Sequence, residues 1–387
     1  MRQRKTLQVL AIVLTGAFLA ACGGGDTDTT TGAGGEASAD ADAGAGDSAE
    51  GMQDGIVVQM DGESREDYLA RLYEAAQEEG TVAYYQSAGD DELNSIVDAW
   101  NEAYPGVEFE PVSATSGTIL QRALLEAESG NVQGDVYGGS AADQAVLDGV
   151  GALAEYRPVN EEDVLEEYRM DGPYIATGYL SYHPAFNTKL LSEEDLPTDW
   201  MGYCEPEWKG EFAIDQEGGE WVTGLLYGLG EEDGMALLEC LAANEPRLVR
   251  GSTNRTELLA SGEFPVMLDG YGHRIWEFEK QGAPIRAQRM SPAPLTVVLD
   301  MAGAFKDAPH PNAARLLLEF FLSPPGQQVF LDQNKAGTLS SLEQPYAELM
   351  GDSELSVIGP EEADFDAGFK VFSDVFLDGG TGEAPAP

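Results

Sequence analysis

Residues 63–112 read ESREDYLARLYEAAQEEGTVAYYQSAGDDELNSIVDAWNEAYPGVEFEPV, and their periodicity decides the fold class. Tyr68, Leu69, Leu72, Tyr73 and Ala76 recur every three or four positions, so residues 63–79 form a helix with one apolar face, closed by Gly80. Thr81-Val82-Ala83-Tyr84-Tyr85 is a short apolar run, the pattern of a buried strand. A turn through Ser87 follows, and Asp90 suits the cap of a helix carrying Ile96, Val97, Trp100 and Tyr104. Pro105-Gly106 stops that helix, and Val107 to Val112 alternates as a second strand. Helix, strand, helix, strand within one such stretch predicts parallel strands joined by helical crossovers.

The same style continues outward. Ala114-Thr115-Ser116-Gly117-Thr118 leads into a helix with Leu120, Leu124 and Leu125, and residues 134–139 form a third strand running into Ser140. In the second half, strands are predicted at 210–215, 246–250 and 265–269, with helices at 256–260, 274–280, 311–321 and 326–331. A late helix over 362–376 places Phe365, Phe369, Phe372 and Phe376 on one stripe, read as core. The fold class is therefore α/β, with mainly parallel sheets flanked by helices.

The first fifty residues have a different chemistry. Arg2, Arg4 and Lys5 precede an apolar stretch from Leu7 to Phe18, too short to span a bilayer comfortably, and small residues then lead to Cys22. Residues 1–21 thus read as a signal peptide. Leu19-Ala20-Ala21-Cys22 resembles the lipobox of bacterial lipoproteins, which implies cleavage before Cys22 and diacylation of its thiol. Residues 22–55 are rich in Gly, Ala, Asp, Thr and Ser and hold too little apolar surface to offset the entropy of ordering, so they read as a flexible acidic linker between lipid and folded domain. The expected location is the outer face of the cell membrane, or the periplasmic side where a second membrane exists.

About 330 residues remain, enough for two lobes. The formal charge is −48 and only 7 of 387 residues are Lys. No basic patch exists to neutralise phosphates, so nucleic acid is excluded as a partner. The dispersed acid excess reads as adaptation of the surface to saline surroundings. Besides Cys22 the chain has Cys204 and Cys240. Neither lies in a C-x-x-C pair or beside a His cluster, and outside the cytoplasm two such thiols are expected to form a disulfide.

Five segments in order, LYEAAQEEGTVAYYQS at 72–87, FNTKLL at 186–191 followed by LPTDW, EPEWKGEFAI at 205–214, LLASGEFPVML at 258–268 and KDAPHPNAARLLLEFFLSPPGQQVF at 306–330, resemble the extracellular solute-binding proteins of ABC transporters. The branch most resembled contains ferric-iron-binding proteins, and the likeness runs from about residue 65 to 339. It implies a two-lobed periplasmic-binding-protein-like fold of type II. Lobe 1 would span 64–180 and 296–387 and lobe 2 would span 181–295, with crossovers near 178–183 and 289–296. It further implies ligand capture in the cleft, hinge closure and delivery to a membrane permease. The resemblance implies no catalysis and no resident cofactor, and a monomer is expected.

In open parallel sheets ligands sit at the carboxyl ends of strands. Those ends carry Ser87; Thr115, Ser116 and Gly117; Ser140 and Asp143; and, in the second half, Asp215, Ser252, Thr253, Asn254 and Tyr271. Each of these polar residues equally suits a helix cap. Asp269-Gly270-Tyr271-Gly272-His273-Arg274 is the sharpest stretch. The ferric-binding branch carries adjacent tyrosines there, and glycine stands here in place of the second. Tyr271, His273 and Asp269 would be the ligands if Fe(III) is bound, whereas Arg274 would favour a carboxylate or phosphonate. Polyamines and thiamine complete the set of solutes considered. His183 and His310 each precede proline and suit turns. G-x-S-x-G, Walker and H-E-x-x-H motifs are absent from the sequence, so an extracellular enzyme is a weak alternative, and a sensory or adhesion lipoprotein on the same fold is the other.

Overall fold

A computed structural model describes residues 51–290, 294–333, 335–343, 349 and 355–377. The signal peptide, Cys22 and the linker up to residue 50 lie outside the described residues.

The opening stretch folds as its periodicity dictates. Helix α1 (Arg65–Glu79) starts at Ser64, whose side chain accepts from the Asp67 amide, and ends at Gly80 with φ +83, a left-handed geometry that glycine adopts without penalty. Its stripe of Tyr68, Leu72 and Ala76 is fully covered. Strand β3 (Thr81–Gln86) follows, then α2 (Asp90–Ala103), β4 (Glu108–Ser113), α3 (Ser116–Ser129), β5 (Val136–Ser140) and α4 (Ala141–Gly149). Strand β3 pairs in parallel with both β4 and β5. Asp90 does not cap α2; Gly89 holds that position without a side-chain bond, and Asp90 adds negative charge to the first turn.

Two long strands then join this half to the next. Strand β6 (Ile175–Asn187) pairs antiparallel with β11 (Leu295–Ala304) up to Ser181, and with β9 (Val266–Tyr271) from Tyr182 onward. One strand therefore leaves one sheet and enters the other between two adjacent residues. Pro184, which has no amide to donate, sits where the register with β9 shifts. In the second half β7 (Phe212–Asp215) lies parallel between β8 (Arg247–Val249) and β9, and β10 (Ile285–Ala287) borders β6. Helices α5 (Gly219–Leu229), α6 (Glu231–Ala243), α7 (Ser252–Ser261) and α8 (Gly272–Lys280) complete it. After β11 come α9 (Pro311–Phe321), α10 (Pro324–Asp332), β12 (Leu355–Ile358), parallel to β11, and α11 (Phe365–Phe372). Each half is parallel at its centre, and the antiparallel pairs within these sheets are those made by β6 and β11.

The buried side chains fall into separate cores. One gathers Leu72, Trp100, Phe109, Tyr179, Phe305 and Leu317; another gathers Tyr182, Trp221, Leu238 and Met290, with a smaller cluster around Ala213, Leu259 and Ile275 beside it. Tyr179 and Tyr182 lie on the same strand yet belong to different cores. The cores touch across the gap: Trp276 of α8 packs on the first and Ala142 of α4 on the second.

Two boundaries and the placement of one residue differ from the sequence expectation. The linker does not extend to residue 55, because β1 (Met52–Gln53) and β2 (Ile56–Val57) form a hairpin. That hairpin docks through the Val57 amide on Asn312 Oδ1 (2.8 Å) and through Arg71 on the Gly51 and Val58 carbonyls. The end of the chain does not stay wholly with lobe 1, since Phe365, Phe372 and Phe376 join the second core. The cause is a close helix crossing: a Cβ on Gly368 would lie 2.0 Å from Thr223 Oγ1, and one on Gly219 would lie 2.3 Å from the Phe369 ring, so two glycines let α11 settle on α5. Phe369 itself is 42% exposed, unlike the rest of its predicted stripe. The third difference is His183, which lies within β6 and is fully buried rather than in a turn. Cys204 and Cys240 are bonded, tying a short 3-10 turn (Trp200–Cys204) to α6.

Candidate functional site

The carboxyl ends of β3, β5, β7 and β9 converge where β6 and β11 cross. In the first lobe the helix starts meet: Ser116 Oγ donates to Asp143 Oδ2 at 3.4 Å, and Ser140 and Asp143 form a reciprocal capping box on α4. Asp143 also accepts from the Tyr137 hydroxyl at 3.2 Å, so its carboxylate is occupied by capping. Burial pushes its pKa up. The Thr115 hydroxyl pairs with that of Thr118 at 2.8 Å, while Ser87 and Gly117 are exposed beside them.

In the second lobe the acids turn away from solvent. Arg255 is fully buried and reaches Asp215 through Nη1; its Nε lies 3.3 Å from Asp269 Oδ1. Asp269 is itself fully buried, and its Oδ2 accepts the Asp215 amide at 2.7 Å. Asp269, expected among the metal ligands, is thus held inside the lobe, because a carboxylate removed from water needs the buried guanidinium. Ser252, Thr253 and Asn254 form the first turn of α7 rather than a strand-end loop. Thr253 and Asn254 are exposed, and Ser252 Oγ is buried without a partner.

Tyr271 is where the structure gathers chemistry. Its ring meets the Tyr182 ring edge-on, centroids 5.1 Å apart, and stacks on His273 at 5.6 Å. The Tyr182 hydroxyl donates to Glu220 Oε2 at 2.6 Å. Burial, with Glu220 adding to it, pushes the Tyr271 phenol up to about 12, and Tyr182 rises well above the ordinary tyrosine value for the same reasons. Burial, helped by Arg274 and Lys335, lowers His273 to about 4, so its imidazole is neutral, with Nδ1 buried and unpartnered. Lys335 belongs to the first lobe, so His273 senses a charge from across the cleft. Arg274 is held by Glu277 at 2.8 Å.

Tyr182, Glu220, Asp300 and His183 were not among the residues expected here. Asp300, on β11, lies opposite Ser140 on one side and Gly178 on the other. Burial raises its pKa; Lys335 lowers it and Glu92 raises it. Lys335 Nζ is itself 2.6 Å from Glu92. The Glu220 carboxyl is raised by burial and by Asp300. His183 Nε2 meets Ser181 Oγ at 2.8 Å, and Nδ1 has no partner. Burial lowers this imidazole to about 4. The absence of a side chain at Gly272 makes room for the ring: a Cβ there would lie 2.9 Å from His183 Cδ2. The sequence signal for Tyr182 was its place in the expected crossover at 178–183, whereas Asp300 lies beyond the one expected at 289–296 and is paired with the strand ends only once the sheet is assembled. Among the described residues no three His, Cys, Asp or Glu side chains gather as a metal site.

The fold recurs in solved proteins. HitA from Pseudomonas aeruginosa, in its iron-bound form, matches with a TM-score of 0.63 at 20% identity, over 77% of this chain and 99% of that one. A Trichodesmium protein (IdiA, FutA) in complex with iron and citrate matches with a TM-score of 0.66 at 16% identity, over 76% and 99%. AfuA from Actinobacillus pleuropneumoniae, with fructose-6-phosphate bound, matches with a TM-score of 0.59 at 20% identity, over 77% and 98%. These proteins share the two-lobed type II periplasmic-binding-protein fold. No curated protein matches the chain in sequence. The family model described as bacterial extracellular solute-binding protein matches residues 95–344, most of the chain, and the protein belongs to that family.

Proposed function

We propose that this chain is the lipid-anchored capture component of an ABC importer, binding a small solute or ion between its lobes and presenting the closed form to a membrane permease. The observation that supports it best is the handover of β6 between Ser181 and Tyr182, which puts the crossing from one sheet to the other beside Tyr182, Tyr271 and Glu220. A ligand touching both lobes stabilises the closed state by its differential affinity for it. Cys22 supplies the tether through its lipid, and the acidic linker supplies reach. Metabolic labelling with palmitate tests the anchor, with label expected on the wild type and absent from Cys22→Ser. Accumulation of ligand in cells should fall to background when either this chain or its permease is removed. Sensing alone would leave accumulation unchanged.

Fe(III) as the ion is a second reading with its own observation. Tyr182 from β6 stands beside Tyr271, so a second phenol is present although the neighbouring position in sequence is glycine. Ferric ion supplied as its nitrilotriacetate chelate would then give a phenolate charge-transfer band, absent in Tyr271→Phe.

A further inference from the structure

Resting on the capture reading, we infer that the cleft is built for an organic cation: a protonated amine or quaternary ammonium held between Asp300 and Glu220 against the rings of Tyr182, Tyr271 and His273.

The argument begins with what the site walls leave unused. Asp300 is only partly covered, and among the described residues its carboxylate has no hydrogen-bond partner. Glu220 receives one bond, from Tyr182, on one oxygen. Burial raises both carboxyls; Asp300 adds to the rise of Glu220, whereas Glu92 adds to that of Asp300 and Lys335 opposes it. The cations in reach are already engaged. Lys335 is held by Glu92, Arg274 by Glu277, and Arg255 by Asp215 and Asp269. Among the described residues neither Asp300 nor Glu220 has an ion-pair partner, so two unpaired carboxyls are left at the crossing of β6 and β11.

A second observation is independent of the acids. His183 stands next to Tyr182 on β6, fully buried, with Nδ1 unpartnered, and its ring lies against Gly272 between Tyr271 and His273. His273 repeats the pattern, with its own Nδ1 buried and unpartnered. Buried polar atoms without partners are uncommon in folded proteins and ask for a ligand or water. Each imidazole has one donor and one acceptor nitrogen, and the two carboxyls add lone pairs. The three neighbouring rings offer negatively charged faces, which attract an ammonium or quaternary cation. Two unpaired carboxyls, orphaned imidazole nitrogens and aromatic faces together select a positively charged donor. A sugar phosphate or carboxylate would meet repulsion from Asp300 and Glu220, and no unpaired cation in the group just described would compensate.

The test is calorimetric titration of the mature chain with spermidine, choline, ferric nitrilotriacetate, citrate and fructose 6-phosphate. Binding is expected for an organic cation, with affinity falling about tenfold or more in Asp300→Asn and in Glu220→Gln. Asp300→Asn removes no hydrogen bond, so its melting temperature without ligand should equal or exceed that of the wild type; a purely structural Asp300 would lower it. Tyr271→Phe should retain organic-cation binding because the ring face survives, and Tyr271→Leu should lose it. Binding of ferric ion that Tyr271→Phe abolishes, with no binding of either organic cation, overturns the inference and leaves capture intact as iron capture. Binding of citrate or fructose 6-phosphate overturns the inference while preserving capture. Failure of both organic cations to bind overturns it as well, and cellular accumulation then decides the capture reading separately.

Discussion

At the scale of single residues, the second lobe is organised by one buried cation. Arg255 neutralises Asp215 and Asp269 and also donates to the Asp269 carbonyl at 3.1 Å, joining the ends of β7 and β9 to the start of α7. Removing one partner of a buried ionic group leaves uncompensated charge. Arg255→Met should therefore cost about 3–5 kcal/mol in urea unfolding at neutral pH, and a change below about 1 kcal/mol would contradict the pairing. His183 gives a pH signature. Burial lowers its imidazole from the ordinary value of 6.5 to about 4, so between those values the unfolded chain binds more protons than the folded one. The stability that His183 contributes is present above pH 6.5 and is lost as pH falls toward 4. His183→Asn should show a smaller drop over that window than the wild type in paired denaturation curves at pH 7, 5.5 and 4.5. Equal slopes would contradict a neutral buried imidazole. Asp269 shows why such detail was not legible in sequence: Asp269 and Tyr271 are two apart on one strand, but what decides the acid's direction is Arg255, a residue the sequence did not place at the site.

At the scale of elements, much was legible. The apolar stripe of α1 and the run of β3 carry their own periods, and Ser64 and Gly80 mark the ends. The late aromatic helix was legible as core, but its partner was not, because the close approach of α11 to α5 depends on Gly219 and Gly368, whose role appears only when the helices meet. The hairpin at 52–57 was hidden by a composition that blends into the linker, and its anchor, Asn312, is 255 residues away from Val57. The disulfide ties α6 to the 3-10 turn with a sequence separation of 36. Under the chain-entropy account that closure is worth about 4 kcal/mol. A Cys204→Ala, Cys240→Ala double variant should unfold with that loss under oxidising conditions, and reductant should shift the wild type but not the variant. Identical reductant sensitivity of both would contradict a structural bond.

At the scale of the whole molecule, charge and hinge dominate. A formal charge of −48 spread along the chain makes the folded state self-repelling at low ionic strength, and salt screens that repulsion over about 8–10 Å near physiological strength. The melting temperature should rise as sodium chloride goes from dilute to molar, and a flat or falling profile would contradict the view of the acids as a salt-adapted surface. The two-lobed plan was legible through five segments of resemblance. The site was legible in part: Tyr271, His273 and Arg274 were found at a strand end, while Tyr182, Glu220 and Asp300 were not, since three separate elements (β6, α5 and β11) carry them and only the assembled crossing brings them together.

The most direct test of the central claim is the distance between the lobes, read by pulsed electron resonance from spin labels at Val146→Cys on α4 and Thr253→Cys on α7, both exposed positions. Each of spermidine, choline, ferric nitrilotriacetate and fructose 6-phosphate is added in turn. The account predicts that a ligand which binds shifts the distribution to one narrow closed distance, and that Glu220→Gln combined with Tyr271→Leu abolishes the shift. Stoichiometric binding with an unchanged distance, or a shift that survives the double substitution, would contradict capture between the lobes.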